Sequence, residues 1–162
     1  MAASPVLPKM VGQRIKRRED PRLIQGRATY VDDIKIVGME HVAFARSDIA
    51  HGRIRSIDTS KAEALTGVTA VVTSKDFPII SDKIIDLAET QGNARLMAEH
   101  VMANQKVLYK GHAVAAVAAA NPHIAEQAIH LINVGYEVLP TVLTLHDALK
   151  EDAPVLHDDL TT

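Results

Sequence analysis

Apolar residues come along this chain in short runs, each closed by glycine, proline or a small polar residue. The clearest run is Ala113-Val114-Ala115-Ala116-Val117-Ala118-Ala119-Ala120. Alanine alone favours helix, but Gly111 before the run and Asn121-Pro122 after it cut it to strand length. A strand this small and apolar is expected to be covered on both faces. Gly111 is placed to take the positive φ of a sharp reversal. Asn121 and Pro122 are residue types suited to an N-cap and a first helical position. Ile124, Ala128, Leu131 and Ile132 then share one helical stripe, with Glu126, Gln127 and His130 mostly off it. This predicts a helix over about residues 122–134, ended by Gly135. Tyr136-Glu137-Val138-Leu139 follows as a strand, limited by Pro140.

An earlier stretch has the same strand–helix–strand form. Residues 39–46 alternate as a strand, Ser47-Asp48 marks a turn, and residues 53–58 predict a second strand. Ile54 and Ile57 are out of phase there, which predicts a bulge. Thr59 or Ser60 caps a helix running to about Thr66 and closed by Gly67. Residues 68–73 are strand by their β-branched content. In the N-terminal region, Asp20 and Pro21 start a single helical turn that Gly26 closes. Asp32 and Asp33 read as a turn: neighbours on an extended chain point to opposite sides and do not converge on one atom. Residues 77–92 predict a long loop, 94–103 a helix, 146–150 a brief helical turn and 153–156 an extended piece. Residues 1–17 read as an extended arm and residues 18–162 as one mixed α/β domain.

Composition narrows the class. The chain has 162 residues, 47% hydrophobic and 23% charged, enough for one domain with a real core. Aromatic residues are only 3%, so a stacking platform for bases is not expected. The net charge of -2 gives no general attraction to nucleic acid or to anionic membrane. The basic run at residues 14–18 is therefore read as a solvated or subunit-facing arm, partly neutralised by Glu19 and Asp20. There is no cysteine, which removes disulfides, thiolate metal sites and thiol nucleophiles and fits a reducing compartment. The first ten residues do not read as a signal peptide, and no apolar run approaches the roughly 20 residues a membrane helix needs. A cytoplasmic location is the expectation.

Candidate chemistry is sparse. Dinucleotide, phosphate-loop and nucleophile-elbow motifs are absent from the sequence. His123, Glu126 and His130 fall near one helical face, but zinc wants closer pairs and ligands from a second element, so they read as exposed side chains. His157 with Asp158 and Asp159 reads as a solvated turn. His112, after a tight turn and before a buried strand, reads as structural. No catalytic, cofactor-binding or metal residues are assigned. Ile79, Ile80, Ile84 and Ile85 lie in a segment without periodicity and are expected at an interaction surface, self-association included.

Several stretches in order carry a family resemblance. Residues 18–34, REDPRLIQGRATYVDDI, resemble the opening of the molybdenum-binding large subunit of the xanthine dehydrogenase and aldehyde oxidase family, most of all its aerobic carbon monoxide dehydrogenase branch. Residues 44–47 (FARS), 50–54 (AHGRI) and 57–62 (IDTSKA) are similar to its next segment. Residues 67–73 (GVTAVVT), 106–115 (KVLYKGHAVA), 125–128 (AEQA) and 134–140 (VGYEVLP) come after it in order. A departure falls at the turn, where the family usually has Glu or Gln and then Pro after the glycine and this chain has His112 and Ala113. The resemblance implies an N-terminal α/β-hammerhead domain, with a mixed sheet and two main helices. It implies a parent hydroxylase that uses molybdopterin, the cytosine dinucleotide form included, with FAD and 2Fe-2S on partner chains or domains. The implied partners are the molybdenum-binding remainder of the large subunit and the FAD-binding and iron–sulfur subunits. The cofactor and the catalytic glutamate belong to later domains, so the chain is expected to be a scaffold that is not catalytic alone. A stand-alone interaction domain that kept the fold is the other reading.

Overall fold

The computed structural model describes residues 12–88 and 90–158. Two compact units divide the chain, Met1–Gly38 and Met39–Thr162. In the first, α1 (Asp20–Ile24) has Asp20 as a helical residue rather than the cap. Glu19 holds the cap position without a side-chain bond, and the Asp20 carboxylate accepts from the Arg17 backbone N–H and Nε instead. Gly26 follows at φ +65°. Asp32 and Asp33 lie in a short 3-10 turn, where the Asp33 carboxylate accepts from the Tyr30 N–H at 2.9 Å. Residues 1–11 of the expected arm, and Asp159, lie outside the described residues.

The second unit runs β1 (His41–Arg46), β2 (Gly52–Asp58), α2 (Ser60–Glu63), β3 (Val68–Thr73), β4 (Ile84–Asp86), β5 (Gln91–Asn93) and α3 (Ala94–Val101). It continues through β6 (Lys106–Val107), β7 (Ala113–Ala119), α4 (Pro122–Ile129), β8 (Asn133–Val138) and α5 (Leu145–Ala148). The strands form three antiparallel sheets, ordered β1-β7-β3, β6-β2-β8 and β4-β5, in place of one mixed sheet. The reason lies in the crossovers. The path β2-α2-β3 and the path β7-α4-β8 each begin in one sheet and end in the other, so neither places two strands parallel in the same sheet.

The alanine-rich run is the centre strand of the β1-β7-β3 sheet; helices cover one of its faces, while the other, expected to be covered too, is only half-buried at Ala116 and Ala118. His41, Ala119 and Val68 are paired across it, as are Ala43, Val117 and Val71. On that side Val117 packs with Ala62 of α2 and Ala128 of α4, together with Leu65 and Ile129. Ala45, Val107, Val114 and Ala115 form a second buried cluster with Ile54, Ile129 and Tyr136. Small residues let α4 approach closely, and Ala125 and Ala128 are almost fully buried.

Cap chemistry holds where it was expected at α4: Asn121 Oδ1 accepts from the Ile124 N–H at 2.9 Å, with Pro122 at the first position. The helix is shorter than the predicted 122–134. It ends at Ile129, with His130 as C-cap, and Asn133 is already strand. Gly135 does not close it. It sits inside β8 opposite Ser56, and a Cβ there would meet Ser56 Oγ at 2.6 Å, so close strand approach explains this glycine. The predicted bulge is present, with Arg55 the extra residue between Ile54 and Ser56. The segment expected as a loop at 77–92 contains the β4-β5 hairpin.

Candidate docking groove

The hairpin leads into α3, and α3 builds a region where apolar and polar groups converge on a concavity. Asn93 starts the helix, its Oδ1 accepting from the N–H groups of Arg95 and Leu96 at 3.0 and 3.2 Å. At the other end the carbonyls that a helix leaves over must find donors. Ala98 receives the Met102 N–H at 3.2 Å, Glu99 receives His112 Nε2–H at 2.7 Å, and His100 receives the Tyr109 hydroxyl at 3.2 Å. Two of those three donors are side chains of the turn before β7. That turn is sharp because Gly111 takes φ +90°.

His112 is fully buried. Its Nδ1 accepts from the Leu108 N–H at 3.2 Å, so a single neutral tautomer satisfies both ring nitrogens. Burial pushes its pKa below the usual histidine value. The Glu99 carbonyl opposes that shift, and the neighbouring His100 adds to it. The Tyr109 ring stacks on the imidazole, centroids 4.5 Å apart. Through these two bonds His112 caps α3 and ties it to the chain after β6.

Phe77, Ile79 and Ile80, from the segment after β3, lie with Val101 and Leu108 on an open groove of about 760 Å³ that Leu156 completes. Ile79 is 101% exposed and Phe77 50% exposed, so the described residues leave them open to solvent. The Lys, Arg, Asp and Glu side chains at the groove are paired. Lys106 Nζ donates to the Leu156 carbonyl at 2.7 Å and to Asp158 Oδ2 at 2.9 Å, which draws the Asp158 pKa below the usual carboxylate value. Residues 156–158 are therefore tied to β6, not left as a solvated turn. Arg95 donates to Glu99 Oε1 at 2.9 Å and has Asp82 at 3.7 Å. An anionic ligand would have to break one of these pairs. Apolar matter enters without that cost.

Elsewhere, His123, Glu126 and His130 are exposed on α4. Among the described residues, no three His, Asp or Glu side chains stand where they could share a metal ion. No helix among them is long and apolar enough to cross a membrane. Sequence reasoning passed over His51, which is buried at 4% exposure. Its Nδ1–H donates to the Pro140 carbonyl at 2.7 Å and fixes the end of β8. Gly52 beside it was the available signal. A Cβ there would meet the Glu137 carbonyl oxygen at 2.9 Å, so the chain is pressed against β8 at this point.

Residues 25–140 match the model of the aldehyde oxidase and xanthine dehydrogenase a/b hammerhead domain. The chain is 42% identical, over 93% of its length, to the carbon monoxide dehydrogenase large chain of Afipia carboxidovorans, covering 18% of that relative. It is 38% identical, over 83% of its length, to the xanthine dehydrogenase molybdenum-binding subunit of Escherichia coli O157:H7, again covering 18% of it. Among solved structures, reconstituted CO dehydrogenase from Oligotropha carboxidovorans superposes with a TM-score of 0.72 at 43% identity, over 88% of this chain and 17% of that one. The chain thus spans under a fifth of the length of the relatives it matches, and all of that match falls on one architectural piece. It belongs to the aldehyde oxidase and xanthine dehydrogenase family, as an α/β-hammerhead domain.

Proposed function

We propose that this chain is the N-terminal scaffold domain, or a separately encoded subunit, of a molybdenum hydroxylase of the carbon monoxide, xanthine or aldehyde dehydrogenase type. It carries no catalysis of its own. Residues 18–162 act as the hammerhead body and residues 1–17 as an arm. The observation that supports the reading is that the Lys, Arg, Asp and Glu side chains of the groove are spent on internal pairs. His112 caps α3, Lys106 ties down residues 156–158, and Arg95 is held by carboxylates. Molybdopterin, with its phosphate, calls for unpaired cations or a nest of backbone N–H groups. The groove does not fit that group, and the reading places it in the remainder of the large subunit. FAD and 2Fe-2S are placed on partner subunits, and the assembly in the cytoplasm.

The test is purification of a tagged chain from its native source, with metal analysis and mass spectrometry of what accompanies it. The expected result is one molybdenum per chain in the complex, and neither molybdenum nor hydroxylase activity with artificial electron acceptors for the chain alone. Activity of the lone chain refutes the scaffold reading. A native complex without molybdenum favours the second reading, an interaction domain that uses the open apolar groove of Phe77, Ile79 and Ile80 for another partner.

A further inference from the structure

The β1-β7-β3 sheet has a second face. Across it Val42, Ala118 and Ala70 form one register row, and Phe44, Ala116 and Val72 the next. All six side chains are apolar. An antiparallel sheet with one face in water alternates apolar and polar positions, and this one does not. Val42 is 58% exposed and Phe44 45% exposed; Ala70 is exposed and Val72, Ala116 and Ala118 are half-buried. Arg46 bounds the patch at the Phe44 end, its guanidinium 5.4 Å from the ring centroid and bonded to the Gly111 carbonyl at 3.0 Å.

The shape of this face specifies what fits it. Ala116 and Ala118 make a floor on the central strand, with Val42 and Phe44 along one side and Val72 along the other. Three strands are about 10 Å across, the width of one helix. The opposite face of the same sheet, with Ala119, Val117 and Ala115 on its central strand, is covered by helices: α4 lies over β1 and β7, and α2 over β3. No charge lies in either row, so the occupant must offer large uncharged side chains to fill the alanine floor.

We propose that this outer face seats one amphipathic helix of the molybdenum-binding remainder of the large subunit, completing a helix–sheet–helix sandwich whose inner layer is α4 and α2. The inference rests on the molybdenum hydroxylase reading above. The chain accounts for only 18% of the relative's length, so most of such a large subunit lies beyond this domain and is available to cover the face.

The experiment puts a benzophenone amino acid at Ala70 of the tagged chain, expressed in its native source. The complex is irradiated and the cross-linked peptide sequenced. A cross-link to an amphipathic helical segment of the molybdenum-binding polypeptide is the expected result. In parallel, Ala70→Arg and Val42→Glu, both at positions open to solvent, should lower the captured molybdenum at least tenfold while the melting temperature of the purified chain stays unchanged. A cross-link to a second copy of this chain, to its own residues 1–38, or to nothing overturns the proposal, as does full molybdenum capture by both variants. If the unmodified chain captures no molybdenum, the hydroxylase reading fails and this proposal with it. If it does capture molybdenum and the cross-link goes elsewhere, only the face assignment fails.

Discussion

Replacing His112 by leucine isolates its contribution to the fold. The substitution keeps the buried volume close to native and removes both hydrogen bonds, leaving the Leu108 N–H and the Glu99 carbonyl without their partner. Each unsatisfied buried group costs about 1–3 kcal/mol. Burying an aliphatic side chain in place of an imidazole returns about 1.5–3 kcal/mol. One orphaned group, the Glu99 carbonyl, is in the last turn of α3 and the other, the Leu108 N–H, follows β6, so the expected net destabilisation is about 2 kcal/mol. For a chain of this size that is a fall of roughly 4–8 °C in melting temperature. His112→Asn, whose Oδ1 can still accept from Leu108, should recover about half. Urea denaturation measures both. A pH series adds a signature that packing alone would not give. The folded-state pKa of His112 lies below 6.5 because burial disfavours its charge. As pH falls through 6.5 the unfolded chain takes up the proton first, so the contribution of neutral His112 is fully present above 6.5 and is lost as pH drops toward the depressed folded value. His112→Leu should flatten that part of the stability curve. A variant within about 0.5 kcal/mol of the parent, or one with the same acid slope, would refute the capping argument.

Gly111→Val should cost about 1–3 kcal/mol through backbone strain alone, since φ is +90° and a Cβ there would meet nothing within 4 Å; Gly111→Asn, tolerant of positive φ, should cost less in the same melt. Asn121→Ala should destabilise by about 1 kcal/mol and Asn121→Asp much less, read by urea denaturation, because only the side-chain acceptor for the Ile124 N–H is lost. Replacing Ile79, Ile80, Ile84 and Ile85 together by serine should lower stability by less than about 2 kcal/mol, since three of the four stand 40–101% exposed; a loss beyond about 6 kcal/mol would mean that they pack as core, at roughly 1.5–3 kcal/mol each.

Local signals carried much of the second unit. The run at 113–120 named the central strand because two breakers bounded it, and Asn121-Pro122 named the start of α4 because cap chemistry is local. Gly111 was legible for the same reason, as the simplest residue for φ +90°. Where the reading failed, the cause was a neighbour distant in sequence. Gly135 resembles a helix terminator until Ser56 is placed opposite it. The β4-β5 hairpin has three-residue strands, too short to show alternation, and Ala88 takes φ +72° where glycine or asparagine would have signalled a turn. His112 was legible as a residue between a tight turn and a buried strand, but not as the cap of a helix that already ends at Val101. The outer face needed the register of three strands before its rows could be seen at all.

The strand order delays closure of the sheets until the last strands are made. β1 and β3 never touch as sheet neighbours; both hydrogen-bond only to β7, which is made later than either. β2 likewise takes its long pairing from β8, the last strand. A chain emerging from the ribosome can hold residues 39–112 without closing either three-stranded sheet, and then complete both when residues 113–138 arrive. Closing such long loops is entropically costly, and before residue 113 the strand pairing open to the chain is the β4-β5 hairpin and the short β2-β6 contact. Completion of both three-stranded sheets is therefore a late event, and the segment that finishes the core finishes the outer sheet face in the same step.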